Sequence, residues 1–357
     1  MDVATRLSPL REEDYSGCLM RYFEASDYAQ RQVGFVLPPT LDDLKNLFPL
    51  SATYKLIYKS ASSSDIHGVV RIMSRPGKTG PRISVKFALD DSQLIKSVHP
   101  LIKTLAKTER KLTIVAYNIY GYEEEKIETL FDLGYVQGAS TANTACLEGQ
   151  YYDTLYLYYD LEKEYEISPR LKYAAQGDLY PIVPVEKMRQ PLKLSFRMAT
   201  PEDGADLAES ISHQNTFRTL GMGVYQGFMT KNESAAFIEQ GKRSGQNHAI
   251  VCMDSEKGKV IGMSDVGIMP GHVSSHTGHV GIHINAQYQG LGAGTALLKE
   301  IDTLAERLHL QSLVLSYFEN NEVGKKLYEK GGYKYRGEVP GWLSSRYVRE
   351  IFMQKTL

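Results

Sequence analysis

Cysteine is scarce here. Cys18, Cys146 and Cys252 are odd in number and widely spaced over 357 residues, which excludes a disulfide framework. Reduced thiols fit such usage, and a cytoplasmic location is expected. No apolar run approaches the ~18 residues of a membrane-spanning helix. The opening residues, Met1-Asp2-Val3-Ala4-Thr5-Arg6, lack the basic, apolar and small-residue succession of a secretory signal. Charge of one sign is also missing, with 41 Lys and Arg against 42 Asp and Glu giving a formal net charge of −1. A chain so balanced has no electrostatic reason to bind nucleic acid or an anionic membrane. What remains is a globular composition, 42% hydrophobic and 23% charged, long enough for two domains with separate cores.

Residues 163–192 carry Pro169, Pro181, Pro184 and Pro191 with little periodicity, which predicts a linker. It separates residues 1–162 from residues 193–357, and the two parts resemble each other. Each opens on an arginine-bearing strand followed by an acidic helix start, Arg6 to Asp14 in the first and Arg197 to Asp203 in the second. In the second, Thr200 suits an N-cap, Pro201 the first helical position, and Glu202 and Asp203 the positive end of the dipole. Thr104-Leu105-Ala106 precedes an apolar strand at Leu112–Tyr117, as Thr303-Leu304-Ala305 precedes Ser312–Ser316. Helices ending in Gly134-Tyr135 and Gly332-Tyr333 follow, and then closing strands near 153–161 and 349–357. The shared order predicts a tandem duplication. The second half reads as a strand, helices near 201–214 and 231–244, strands near 248–253, 260–269 and 280–284, a helix over 295–308, a strand, a helix from about 321, and closing strands. That order predicts an α/β chain with a mixed sheet and helices on both faces.

The run Gln289-Gly290-Leu291-Gly292-Ala293-Gly294 stands between the strand Val280–Ile284 and a helix with Leu297, Leu298, Ile301, Leu304, Ala305 and Leu308 on one face. A glycine loop between a strand and a helix start turns backbone N–H groups toward an anion. Glycine there admits phosphate oxygens to the backbone, although glycine triplets also make ordinary turns.

This loop fits the Q/R-x-x-G-x-G/A signature, and Asn321, Gly324, Tyr328, Gly332 and Tyr333 fit N-x-x-A-x-x-x-Y-x-x-x-G-F with Gly for Ala and Tyr for Phe. In both elements, over about 193–357, the chain resembles the GNAT acetyltransferase superfamily. The resemblance implies two tandem GNAT folds and acetyl-CoA as co-substrate. It implies that backbone groups of Ile282, His283 and Ile284 pair with the pantetheine amides. N–H groups from Gln289, Gly290, Leu291, Gly292, Ala293, Gly294 and Thr295 would hold the pyrophosphate. It places Asn321 at the cofactor arm or an ordered water, a role compatible with capping the helix. It places Tyr328 where many members protonate the departing thiolate, although a core tyrosine is the other reading in a chain with 24 of them. The base is open. Members often place Glu or His at the position of Gly278, beside which stands His279; His279 is the first candidate, His283 the second, and ordered waters the third. His272, His276, His279 and His283 cluster without a Cys or Asp to complete a metal set, and no metal is expected.

Substrate contacts are expected from His213–Tyr225 and from Glu338–Leu343, which holds the single tryptophan, Trp342. In the first half the corresponding loop, Leu89 to Lys96, has no glycine and carries Asp90 and Asp91, while Leu130 and Glu123 replace the tyrosine and asparagine. That half is expected to be a degenerate GNAT domain without a CoA loop. The activity implied is N-acetylation of a primary amine on a small molecule. Acetylation of proteins or peptides and a non-catalytic acyl-CoA-binding module are the alternatives, and a homodimer is left open.

Overall fold

The computed structural model describes residues 6–9, 11–25, 40–47, 55–59, 66–73, 82–88, 92–104, 114–161, 191–212, 230–268, 272–319, 321–340 and 349–357. They fall into two compact units. One lies within Met1–Arg170, Gly271–Val273 and Glu338–Tyr347, the other within Leu171–Pro270, Ser274–Gly337 and Val348–Leu357.

The first unit contains β1 (Arg6–Pro9), helices α1 (Met20–Ala25) and α2 (Leu41–Leu47), and strands β2 (Lys55–Lys59), β3 (Ile66–Met73) and β4 (Arg82–Ala88). Then come α3 (Ser92–Thr104), β5 (Ile114–Tyr120), α4 (Glu124–Asp132), β6 (Val136–Leu147) and β7 (Gln150–Asp160). The strands follow the order β1-β2-β3-β4-β5-β7-β6. β4 and β5 run parallel, and the other neighbours are antiparallel. Ile95, Val98 and Ile102 of α3, one helical face, meet Val115, Tyr117 and Ile119 of β5 and Leu130 of α4 in one apolar core.

The second half contains β8 (Leu194–Met198), α5 (Gly204–Ser212), α6 (Lys231–Ser244), β9 (Asn247–Asp254), β10 (Lys259–Gly267) and β11 (Thr277–Ile284). α7 (Ala293–Arg307), β12 (Ser312–Phe318), α8 (Glu322–Lys330), β13 (Lys334–Pro340) and β14 (Arg349–Thr356) complete it. Its strand order is β8-β9-β10-β11-β12-β14-β13, element for element that of the first. Again β11 and β12 run parallel, while β8/β9, β9/β10, β10/β11 and β12/β14 are antiparallel.

Strand alternation sends side chains to two layers. Ile250, Cys252, Ile261, Val266 and Ile284 pack with Leu297, Leu298, Ile301 and Tyr328 of α7 and α8. On the opposite face Ala249, Val251 and Met263 pack with Leu207 of α5 and Ile238 of α6. Each fully buried aliphatic side chain stabilises the fold by roughly 1.5–3 kcal/mol relative to exposure.

The helix start expected at Pro201 is a tight 3-10 turn, Pro201–Asp203, before α5 begins. Thr200 is its N-cap, as expected, and Asp203 completes a capping box with it. The Asp203 carboxylate accepts the Thr200 N–H at 2.8 Å and two Arg197 guanidinium bonds at 2.8 and 2.6 Å. Asp14 accepts the Arg11 N–H at 2.9 Å in the same manner. The helix expected at 231–244 occupies those residues, held by the Thr230–Glu233 capping box and ended by Gly245 at φ +65°. Asp90, Asp91, His213–Tyr225 and Trp342 lie outside the described residues. Among the described residues no helix is long and apolar enough to cross a membrane.

Candidate functional site

β11 pairs with β10 from His279↔Gly267 to Ile284↔Gly262, its last six residues. With β12 its parallel register holds only Thr277↔Ser312, Gly278↔Leu313 and His279↔Val314. β12 meanwhile continues to Phe318 with β14. The two strands therefore part after His279 and leave a fork. Asn285 donates its N–H to Ile261 O at 2.8 Å, which fixes the antiparallel phase of β10 and β11. By that phase the peptide groups of His283 turn toward β10, whereas those of Ile282 and Ile284 turn into the fork. Strand-like pairing expected of all three residues is thus open to Ile282 and Ile284, and His283 departs from the expectation. The Ile284 carbonyl accepts the Gln289 Nε2–H at 3.1 Å.

The loop leads from this fork to α7. Gly290 (φ +83°) and Gly292 (φ +90°) adopt the left-handed conformation that L residues resist, yet a Cβ at either would meet nothing within 4 Å. Backbone conformation, with open space above it, explains these two glycines. Gly294 has another reason, since its Cβ would press on Leu327 Cδ2 at 3.2 Å. The first intrahelical bond of α7 is Ala296 N–H to Gly292 O at 3.0 Å. The N–H groups of Ala293, Gly294 and Thr295 consequently have no intrahelical acceptor, and no acidic side chain stands in this first turn. Gln289 contributes differently from the rest: its own N–H points back at Ala286 O, 3.5 Å away.

At the next helix, Asn321 is the N-cap of α8, its Oδ1 accepting the Gly324 N–H at 2.8 Å. Tyr328, 8% exposed, lies with its ring 5.7 Å from that of Tyr317 and 6.2 Å from that of Tyr333. Burial, aided by Tyr317, pushes its phenol up to about 12, so the hydroxyl keeps its proton at physiological pH.

His279 is exposed beside the fork, on the face away from Val280, Ile282 and Ile284, which pack against the α7 layer. His283 shares the face of His279 but is half-buried, and burial pulls its imidazole down to about 4, leaving it neutral. Gly278 faces the other way. A Cβ there would stand 2.6 Å from Val266, 2.8 Å from Leu310 and 2.9 Å from Leu313, so no acidic side chain fits. Among the described residues no group of three or more His, Cys, Asp or Glu is arranged to hold a metal ion.

Residues 220–333 match the family described as "Acetyltransferase (GNAT) family". The chain is 33% identical over 136 residues to the spermine/spermidine N(1)-acetyltransferase of Bacillus subtilis (strain 168), covering 89% of that protein and 37% of this chain. This chain belongs to the GNAT acetyltransferase family. Among solved structures it is similar to an N-acetyltransferase from Staphylococcus aureus Mu50, at 23% identity and a TM-score of 0.41, over 46% of this chain and 98% of that one. It is also similar to a ribosomal-protein-alanine N-acetyltransferase from Brucella melitensis, at 22% identity and a TM-score of 0.41, over 46% and 99%.

GNAT enzymes take their acetyl group from acetyl-CoA, and the fork, the open glycines and the helix start suit its pantetheine arm and pyrophosphate. Among the described residues the first unit offers no matching helix start. There the buried Ser92, first residue of α3, donates its Oγ–H to Glu125 of α4 at 2.5 Å. The chain's own carboxylate stands where the dipole of α3 favours an anion. Neither Ser92 nor Glu125 is marked by any motif, and only folding brings them together. Asp265 is likewise silent in the sequence. It sits opposite Gly281 on the face of His279 and His283, and burial raises its carboxyl to about 7, against a lowering by its hydrogen bond with Asn247.

Proposed function

We propose that this GNAT chain N-acetylates a primary amine on a small molecule, by direct attack of the amine on acetyl-CoA in a ternary complex. The observation that carries the reading is the fork between β11 and β12, which leads to an uncapped helix start. Peptide groups of Ile282 and Ile284 bind the pantetheine amides. The N–H groups of Gly290 through Thr295 hold the pyrophosphate, where the α7 dipole favours an anion by up to about 1 kcal/mol. Acetyl-CoA supplies the activated acetyl thioester. Asn321 holds the start of α8, and Tyr328 gives its proton to the departing thiolate. The amine approaches on the face of His279, where its proton leaves. The Bacillus relative's name favours a polyamine-like acceptor.

We also propose that residues 1–162 are a degenerate GNAT-like domain, residues 163–192 a linker and residues 193–357 the acetyl-CoA-binding domain. The common strand order and the matching Asp14 and Asp203 turns support a duplication. A screen of amines and peptides, read as free CoA released, tests the acceptor class. Release with polyamines and simple primary amines is expected, and release with peptides alone would overturn the small-molecule reading.

A further inference from the structure

Gly278 stands where the family resemblance leads one to expect a base, and the apolar layer around it leaves no room for a side chain. The proton of the acceptor must go elsewhere. On the opposite face of the sheet Asp265 of β10 pairs with Gly281 of β11. Its carboxylate lies over the Gly281 Cα, so that a Cβ there would stand 2.6 Å from Oδ1. The pairs on either side, Gly267↔His279 and Met263↔His283, put the two imidazoles on this face as the diagonal neighbours of Asp265. Across β9 the directly opposite residue is only Ala249. Asp265 is thus one strand from the fork and two residues beyond it, flanked by Gly267, Gly281 and Ala249, which carry no more than a methyl group.

Resting on the acetyltransferase reading above, we infer that Asp265 receives the acceptor's ammonium and takes its first proton. In that step R–NH3+ and the Asp265 carboxylate become R–NH2 and the Asp265 carboxylic acid. One N–H bond breaks, one O–H bond forms, and the freed lone pair attacks the acetyl carbonyl carbon. As the C–S bond breaks, Tyr328 gives its proton to the thiolate, and the second nitrogen proton, carried by solvent, restores the phenol.

The surroundings keep Asp265 poised for this. β9 contributes Asn247, whose side chain hydrogen-bonds the carboxylate. β11 contributes His279 and His283, the latter neutral. α6 brings Gly241 against Asn247, and its ionisable side chains Lys231, Glu233, Glu239, Lys242 and Arg243 lie exposed. α5 directs Asp206 to the Val260 N–H at 3.0 Å and Glu209 to Lys259 Nζ at 2.7 Å, toward the other end of β10. Among the described residues no fixed cation stands against Asp265, and its carboxyl titrates at about 7.

The test is the pH profile of kcat/KM with spermine and acetyl-CoA. The wild type should gain activity through a midpoint near 7, the value at which the carboxyl ionises. Asp265→Asn should lose this limb and about 100-fold or more in kcat while binding acetyl-CoA as the wild type does. Gly281→Ala, which keeps the carboxylate but crowds it, should lower kcat and move the limb. A second readout needs no turnover: a protonated buried carboxyl should appear by difference infrared between about pH 6 and about pH 8 in the wild type and vanish in Asp265→Asn. An Asp265→Asn enzyme with wild-type rate and limb overturns this inference alone, as does a limb that disappears in His279→Ala but persists in Asp265→Asn. A wild type that binds acetyl-CoA yet acetylates no amine overturns the acetyltransferase reading and this inference with it.

Discussion

Asn321 closes over Gly324. Its Oδ1 takes the Gly324 N–H at 2.8 Å, and a methyl group on Gly324 would overlap the amide that makes this bond. The glycine that departs from the family pattern therefore belongs to the way Asn321 caps α8. Gly324→Ala should displace the Asn321 side chain and cost about 1 kcal/mol, as lost N-caps do, although alanine favours helices elsewhere. Urea unfolding of the variant checks this. Equal or greater stability would show that the cap tolerates a Cβ.

Gly292→Ala tests the loop. With φ at +90° and no atom within 4 Å of its Cβ position, Gly292 should feel backbone strain of about 1–2 kcal/mol and no clash. The loop should relax by turning N–H groups away from the anion site. Calorimetry should find acetyl-CoA binding weakened more than about tenfold, with a modest loss in Tm. Unchanged affinity would remove this loop from the cofactor site.

Tyr328→Phe keeps the ring that packs between Tyr317 and Tyr333 and deletes the proton. Turnover should fall by about 100-fold with acetyl-CoA affinity nearly intact. Because the Tyr328 phenol titrates at about 12, the wild-type rate should show no basic limb from this group below about pH 10. Full activity in the phenylalanine variant would end its role as the acid.

Stability should respond to Asp265 and His283 in opposite ways. A carboxyl raised to about 7 in the fold binds its proton more tightly than the unfolded chain does. That contribution is complete below about pH 4 and is lost as pH rises through 7, a change of at most about 4 kcal/mol. His283, lowered to about 4, gives stability that is present above about pH 6.5 and lost as pH falls through 4. Asp265→Asn should thus gain on the wild type from about pH 5 to about pH 8 in chemical denaturation. An unchanging difference between them would mean that the carboxyl titrates alike in both states.

One acetyl-CoA should bind per chain. Glu125 already answers the N-terminal turn of α3 through Ser92. A calorimetric stoichiometry of two equal sites would contradict the degeneracy of the first unit.

Much of this was legible before folding, and for physical reasons. α6 announces itself by a Thr230–Glu233 box and a Gly245 stop, and α7 by its leucine face, because caps and periodicity are local. The fork was not legible, since a strand that parts from its neighbour reads the same as one that stays. Glycines were legible as a motif but not as separate causes: Gly290 and Gly292 answer to φ, and Gly294 to Leu327. Asp265 could not be read at all. An aspartate in an apolar strand becomes informative only when register sets a glycine opposite it and histidines to either side.

The Ser92–Glu125 contact has a thermodynamic consequence. A domain that must recruit its anion from solution gains stability with the size of that pool, about 2.7 kcal/mol when the ligand stands at a hundred times its Kd. The first unit has its anion tethered to the same chain, at an effective concentration that metabolism does not alter. Supply of acetyl-CoA should therefore tune the stability of one unit and leave the other indifferent.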